Sequence, residues 1–280
     1  MTSGYGLRGE AMVRLLEQEI QGEGRKSSKG NQLKWEKNGI WYKADYAGYE
    51  GLTEYVVSRL LTFSNLEKEE YVVYQTEEMQ YKQNRYKGCR SKNFLPEGWK
   101  LITLERLFQS MYGKSLHQSV YSIRDYEERV RFFVEQTIDI TGLQEFGGYL
   151  SKLLTLDAFF LNEDRHTHNI AVLLDEAGRY HYCPIFDNGA ALLSDTTLDY
   201  PLTGKIESMI PEAEAKTICT NFDEQLDAVE NLYGRPVCFQ FGDRDVEQLL
   251  ADEPYYPGEI KRRVQRIIRR QKNKYQYLFA

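Results

Sequence analysis

The chain has 280 residues, 41% of them apolar, and its 36 basic and 42 acidic side chains give a formal net charge of −6. This composition is typical of a globular protein whose core could serve one large domain or two closely packed lobes. The negative balance argues against bulk nucleic-acid binding through net charge.

The cysteines and the hydropathy of the chain indicate which cellular compartment to expect. The four cysteines show no CxxC pair and no metal-ligand spacing, which predicts free thiols rather than a disulfide framework or a zinc site. We expect no signal peptide, because the N-terminus carries no sustained apolar stretch. The most apolar run, residues 153–161, contains Asp157 and is too short to span a bilayer. We therefore expect a cytoplasmic protein without a transmembrane segment.

Short β-like segments dominate the first hundred residues. Asn38-Gly39, between two alternating segments, predicts a tight hairpin. From Gly51, apolar residues at positions 52, 56, 60 and 63 form a helical stripe. Two further β-like runs follow, EYVVYQ and KGCRSKNFL, with a charged stretch between them. This order predicts a small α+β lobe over residues 1–98.

Helical periodicity dominates residues 99–280, apart from one hairpin. We expect helices around 103–112 and 125–137, and a long buried helix that ends near Leu161, with Thr141 and Gln144 as a capping box before it. A polar loop, NEDRHTHN, separates that helix from a hairpin that turns at Gly178 and ends in FDNG. A basic amphipathic helix over about 257–275 closes a mostly helical lobe.

Three residues in this second half have the chemistry of a phosphotransferase. Phosphoryl transfer requires an oriented nucleophile, a clamped triphosphate and Mg²⁺ held by hard oxygen ligands. Asp164 and Asn169 are five residues apart in the polar loop, and Asp187 follows the hairpin. The hairpin returns the chain, so Asp187 is expected to emerge beside the loop. Two carboxylates and an amide at one point are costly unless a cation lies there.

The Asp-x4-Asn spacing has no weight by itself. The 14 Asp and 11 Asn of the chain predict about half an occurrence by chance. It occurs twice, because Asp157 and Asn162 match it as well. Asp157 lies within an apolar helix, so we expect it to be a buried structural acid bonded to the loop, and we assign the chemistry to Asp164.

The motifs DRHTHNI and IFDNG resemble the catalytic core of the HipA-like Ser/Thr protein kinases, which are related to the phosphatidylinositol kinases. The strand WYKAD, the helix GLTEYVV, the loop SSKGNQLKW and the segment GCRSKNFL match this family in order, from about residue 25 to 190. The chain is more similar to the shorter, single-module members. It departs from the pattern at Asn188, which stands where a DFG motif has Phe, and its phosphate loop lacks GxGxxG.

The resemblance implies an α+β, two-lobed protein-kinase-like fold with a small β-rich N-lobe and a mostly helical C-lobe. It also implies ATP and Mg²⁺ as cofactors and a protein as substrate. Asp164 would activate the acceptor hydroxyl, and His166 would support the loop or stabilise developing charge. The residues expected to bind the cofactors are Lys43 paired with Glu54 at the phosphates, Asn169 and Asp187 at Mg²⁺, Ser27, Ser28, Lys29 and Gly30 in the phosphate loop, and Lys92 to Phe94 at adenine.

Four points stay open here. The acceptor could be a lipid head group or another small molecule, because the DRH loop is shared with lipid kinases. The chain could also be an ATP-binding regulatory module without turnover. Ser27 or Ser28 could be autophosphorylated, since the loop would lie close to the γ-phosphate. The closing helix is either docked on the C-lobe with a solvated basic face or a docking surface for an acidic partner.

Overall fold

The computed structural model describes residues 12–20 and 32–280. The predicted α+β class is confirmed: a five-stranded sheet with one helix precedes a three-stranded sheet and eight helices within the described part of the chain. The strands are β1 Val13–Leu15, β2 Lys34–Lys37, β3 Ile40–Ala44, β4 Tyr74–Tyr81, β5 Asn84–Lys92, β6 Lys100–Thr103, β7 Ala171–Leu174 and β8 Tyr180–Tyr182. The helices are α1 Glu50–Leu61, α2 Leu104–Tyr112, α3 Leu116–Tyr121, α4 Tyr126–Thr141, α5 Phe146–Phe160, α6 Ile206–Met209, α7 Phe222–Tyr233, α8 Asp243–Asp252 and α9 Gly258–Lys274.

The first sheet has the strand order β1-β4-β5-β3-β2. Its β2–β3 hairpin turns at Asn38 and Gly39, whose φ values of 54° and 76° are those of the predicted type I′ turn. The β4–β5 hairpin is longer than the sequence indicated. The charged stretch expected between two strands is itself strand, and the pairing runs continuously from Tyr74↔Ser91 to Tyr81↔Asn84. Charged side chains do not interrupt the backbone hydrogen bonds of a strand pair, and the buried Glu77 forms an ion pair with Arg90 of β5 at 3.2 Å.

Helix α1 crosses this sheet closely because two glycines face each other. A Cβ atom on Gly51 would lie 2.3 Å from the backbone carbon of Gly88, and one on Gly88 would lie 1.9 Å from the carbonyl oxygen of Lys43. A side chain at Gly51 would push the helix away from the sheet, and a side chain at Gly88 would clash with the neighbouring strand β3. This close approach brings the Glu54 side chain of α1 next to Lys43 of β3.

The second half contains one strand that the sequence analysis missed. Lys100–Thr103 forms β6 and pairs antiparallel with β7, so the predicted hairpin is part of a three-stranded sheet. A four-residue strand directly before a helix shows too few residues for a period-two pattern to stand out. The second sheet therefore begins eight residues after the first ends at Lys92, while the predicted lobe boundary between residues 98 and 99 stays a prediction.

The capping box predicted at Thr141 and Gln144 is wrong. Thr141 is the last residue of α4, and its hydroxyl donates to the Thr137 carbonyl. The N-cap of α5 is Glu145, without a side-chain hydrogen bond. The buried helix itself is confirmed, since Phe146, Leu150, Leu153 and Phe160 are all within the core. One large apolar cluster joins α1 to the helices of the second half, and a smaller one around Trp35 and Met79 lies on the first sheet.

The closing helix α9 is confirmed, with Val264, Ile267 and Ile268 buried and Ile260 packed against the core. Its basic face is largely compensated within the protein. Arg263 is buried and donates to the Tyr49 hydroxyl and to the Tyr200 carbonyl. Six other basic residues of α9 form ion pairs with acids: Lys261 with Glu253, Arg266 and Arg270 with Glu207, Arg269 and Lys272 with Asp243, and Lys274 with Asp223. These ion pairs favour the docked helix, and a docking surface for an acidic partner stays a prediction.

Candidate active site

The site is built around Lys43, which is buried in the middle of the first sheet. Its Nζ donates to Oε1 of Glu54 at 2.7 Å and to Oδ1 of Asp187 at 2.7 Å. Burial lowers the pKa of Lys43, but the carboxylates of Asp187 and Glu54 outweigh it and hold the pKa well above its ordinary value. Lys43 is therefore charged at neutral pH. The predicted Lys43–Glu54 pair is present, and the hairpin β7–β8 delivers Asp187 to it.

Backbone pairing places Asp187. Ile185 donates its N–H to the Glu70 carbonyl at 2.7 Å, and Val72 donates to the Ile185 carbonyl at 3.0 Å. The segment after β8 is therefore held beside the entry to β4. Asp187 then adopts φ of 61°, a left-handed conformation that costs a residue with a Cβ atom roughly 1 kcal/mol. The surrounding contacts maintain this strained geometry, as is common where a side chain must be aimed at a functional site.

A second lysine, which the sequence analysis missed, also faces Asp187. Lys34 lies opposite Lys43 on the neighbouring strand β2, and its Nζ is 3.9 Å from Oδ2 of Asp187. Although burial raises the pKa of Asp187, the charges of Lys34, Lys43 and Arg165 hold it far below its ordinary range. Once the hairpin was predicted, the sequence was enough to pair Lys34 with Lys43 across the two strands. It did not indicate which face of β2 would contribute to the site.

The loop after α5 places Asp164 and Asn169 together. Asn169 donates from Nδ2 to the backbone carbonyl of Asp164 at 2.8 Å and to its Oδ2 at 3.0 Å. The second Asp-x4-Asn pair makes the same type of contact, because Asn162 Nδ2 donates to Asp157 Oδ1 at 2.8 Å. Asp157 is buried, as expected, whereas Asp164 is half-buried. The two pairs thus differ in solvent access rather than in local geometry.

Arg165 connects this loop to the Asp187 segment and was also missed. Its buried guanidinium contacts both carboxylate oxygens of Asp157 at 3.2 Å and donates to Oδ1 of Asn188 at 2.7 Å and to the Phe186 carbonyl at 2.8 Å. Asn188 also donates its N–H to Oε2 of Glu54 at 2.9 Å. The residue that stands where a DFG motif has Phe is therefore a buried hydrogen-bonding partner.

The histidines of the loop differ from each other. His166 is half-buried with Nε2 3.7 Å from Oδ1 of Asp164, whereas His168 is exposed. Burial lowers the pKa of His166, Asp164 opposes this, and the charges of His168 and Lys216 lower it further. His166 is therefore neutral at pH 7. Glu105 of α2 fixes the loop between the histidines, because it accepts from the Thr167 hydroxyl at 2.7 Å.

The remaining predicted site residues are less informative. Phe94 lies 5.4 Å from the Phe186 ring, centroid to centroid, and packs with Val72, Tyr74 and Cys89. Lys92 is exposed at the end of β5. The predicted phosphate-loop residues, which are Ser27, Ser28, Lys29 and Gly30, lie outside the described residues.

The described residues contain no cluster of metal-ligating side chains, no disulfide and no helix that could span a membrane. No group of three or more His, Cys, Asp or Glu in residues 12–20 and 32–280 could hold a metal ion by itself. All four cysteines are free, as predicted. None of the helices in the described ranges is both long and apolar enough to cross a bilayer.

Along the chain, a β-sheet with one helix is followed by a mostly helical part. This is the arrangement of a protein-kinase-like fold. Among solved structures, the chain is similar to a proinflammatory kinase of Helicobacter pylori, CtkA, with a TM-score of 0.63. The two share 16% sequence identity, and the match covers 96% of this chain and 97% of that one. Neither a scan against protein-family models nor a search of curated proteins returns a match.

Proposed function

We propose that this chain is a phosphotransferase that uses Mg-ATP, with its N-lobe in residues 1–98 and its C-lobe in residues 99–280. The observation that carries the proposal is the contact of Lys43 with both Glu54 and Asp187. Glu54 of the next helix and Asp187, which is 144 residues away in sequence, converge on the ammonium group of Lys43. A kinase-like fold needs this set of residues to clamp a triphosphate and to hold its metal ion.

The donor side of the site fits Mg-ATP. Asp187 and Asn169 offer oxygen atoms, which Mg²⁺ prefers, and these two side chains would hold the ion. When bound, Mg²⁺ would neutralise charge that develops on the transferred phosphoryl group. Lys43 and Lys34 would contact phosphate oxygens of the nucleotide. The apolar group around Phe94 and Phe186 supports an adenine site at the backbone of residues 92–94.

The acceptor side centres on Asp164. Its carboxylate would orient the acceptor hydroxyl and receive its proton as the acceptor oxygen bonds to the γ-phosphorus. The bond between that phosphorus and the bridging oxygen breaks, and ADP leaves with the electron pair. Because His166 is neutral at pH 7, it would act there as a hydrogen-bond donor or acceptor rather than as a cation. Arg165 and Glu105 would hold the loop in position.

We infer a HipA-like Ser/Thr protein kinase of the short type, acting in the cytoplasm. The net charge of −6 disfavours an anionic membrane as the acceptor. Autophosphorylation at Ser27 or Ser28 belongs to the same proposal. Phosphate on either serine after incubation with Mg-ATP would support it, and absence under conditions where another protein is phosphorylated would contradict it.

The proposal is tested by incubating the protein with γ-labelled ATP, Mg²⁺ and cell extract. We expect a labelled protein band that is lost with Asp164→Ala and with Asp187→Ala. Label in the organic extract instead would identify a lipid acceptor. Stabilisation by Mg-ATP without turnover in any fraction would indicate a regulatory module, and activity that survives Asp187→Ala would contradict the mechanism.

A further inference from the structure

A segment of the C-lobe, residues 213–219, lies directly against the loop that carries Asp164. The Thr217 hydroxyl donates to the Arg165 carbonyl, and the Glu214 N–H donates to Oε1 of Glu163 at 3.1 Å. Tyr200 donates to the same Glu163 oxygen at 2.7 Å. These contacts anchor the segment on both sides of residue 216, so a side chain at that position has a defined place beside the loop.

That residue is Lys216, whose neighbours Ala215 and Thr217 are buried while it is itself half-buried. Within residues 12–20 and 32–280, no carboxylate lies within ion-pair distance of its ammonium group. Lysines of α9, by contrast, pair with acids at 3.2 Å and 2.7 Å, as Lys261 and Lys274 do. A half-buried ammonium on an anchored segment has lost part of its hydration, and the described residues provide no ion pair in return.

Lys216 lies on the side of the site where we expect the phosphate acceptor, and not on the side where we expect the triphosphate. Its charge is one of those that act on His166, the neighbour of Asp164. Lys34 and Lys43 instead face Asp187, with their Nζ atoms 3.9 Å and 2.7 Å from its carboxylate oxygens. The two sides of the site therefore have separate cations, with Lys34 and Lys43 on the donor side and Lys216 on the acceptor side.

We propose that Lys216 binds an acidic side chain of the protein acceptor next to the hydroxyl that receives the phosphate. The proposal rests on the proposed function and adds to it a substrate class, namely Ser or Thr flanked by Asp, Glu or a phosphorylated residue. The net charge of −6 favours a protein segment over an anionic membrane, because the whole molecule would be repelled by the latter. A single lysine is enough to select a neighbouring acid when the rest of the segment is held in register.

The experiment uses two peptides that differ at one position beside a central Ser, with Asp in one and Asn in the other. Both kcat/KM with Mg-ATP and Kd with Mg²⁺ and a non-hydrolysable ATP analogue are measured for the full chain. For the Asp peptide we expect kcat/KM to be about fivefold higher and Kd about fivefold lower than for the Asn peptide. A difference of this size corresponds to one favourable ion pair. With Lys216→Met the ratio should fall to about one, and Lys216→Glu should favour a third peptide with Lys at that position. Lys205→Met, an exposed lysine of the same region, should keep the wild-type ratio.

The ratio of the values for the Asp peptide and the Asn peptide distinguishes the possible roles of Lys216. If Lys216 contacted only the γ-phosphate, both peptides would lose kcat/KM equally and the ratio would stay the same, which would overturn the proposal. No preference in the wild-type protein would overturn it as well. A preference in Kd without any turnover would support the acceptor site and contradict the proposed phosphotransferase activity.

Discussion

Lys43 Nζ lies 2.7 Å from a carboxylate oxygen of Asp187, a residue 144 positions away in sequence. The same ammonium contacts Glu54 at 2.7 Å, and the side chain of Glu54 is only 2% exposed. One positive charge therefore compensates two carboxylates from different parts of the chain. Removing it would leave the buried Glu54 without an ion-pair partner among the described residues and would leave Asp187 with Lys34, 3.9 Å away.

The first prediction is that Lys43→Met lowers the free energy of unfolding by about 3 kcal/mol, because a buried charge loses its partner. Urea denaturation followed by circular dichroism measures it. The matched control is Lys82→Met, whose ion pair with Glu17 joins two exposed side chains and should contribute almost nothing. An equal change in the two variants would show that the Lys43 contacts are not stabilising.

The second prediction separates the two Asp-x4-Asn pairs. Asp157→Asn leaves the buried Arg165 without its carboxylate and should cost about 3 kcal/mol of stability. Asp164→Asn should change stability little, because Asn can still accept the hydrogen bond from Asn169, yet it should lower phosphotransfer by roughly 10³-fold or more. Thermal melts and labelled-phosphate assays on both variants measure the two effects. The reverse pattern would exchange the roles assigned to the two acids.

The third prediction concerns the order in which ligands bind. Asp187 is occupied by Lys43, and the described residues offer no cluster of three acids, His or Cys for a free ion. Millimolar Mg²⁺ alone should therefore leave the melting temperature unchanged. Mg²⁺ with an ATP analogue at 100 times its Kd should stabilise the protein by about 2.7 kcal/mol. The stabilisation should be weaker with Asp187→Asn, and a large shift with Mg²⁺ alone would contradict this view of the site.

The fourth prediction is a pH dependence of stability from Asp45, at the end of β3. Burial and the nearby Glu50 raise its pKa to about 7, although the Tyr256 hydroxyl and the Gly51 N–H oppose the shift. An unfolded Asp has a pKa of about 4, so the folded protein holds the extra proton between about pH 4 and 7. The free energy of unfolding should accordingly fall as pH rises through that window, by up to about 4 kcal/mol from this residue.

Urea denaturation at pH 5 and pH 7.5 measures this slope. Asp45→Asn keeps an acceptor for the Gly51 N–H and cannot ionise, so it should lose the contribution of Asp45 to the slope. The variant should be more stable than the wild-type protein at pH 7.5. If the two proteins differ equally at both pH values, Asp45 does not titrate in this range.

Local patterns were enough for most elements near the site. Asn38-Gly39 predicted its hairpin because these two residues readily adopt the left-handed conformations that a type I′ turn requires. The apolar stripe of α1 and the buried run of α5 predicted their helices for the same kind of local reason. Predictions failed where neighbours in space decided the outcome: Lys100–Thr103 is a strand because β7 lies beside it, and Thr141 ends a helix rather than capping the next.

The sequence by itself determined the fold class, the pairing of Lys43 with Glu54 and the loop that holds Asp164 and Asn169. The fold class and the loop depend on periodicity and turn residues within short stretches of chain, whereas the pairing of Lys43 with Glu54 was implied by the resemblance of several motifs, in order, to a kinase family. Only the tertiary structure decided that Lys34 and Arg165 belong to the site, that Asn188 is a buried partner of Arg165, and that Lys216 lies beside the loop. Charges and hydrogen bonds act over a few ångströms, and the residues that complete this site are brought within that distance only when the chain has folded.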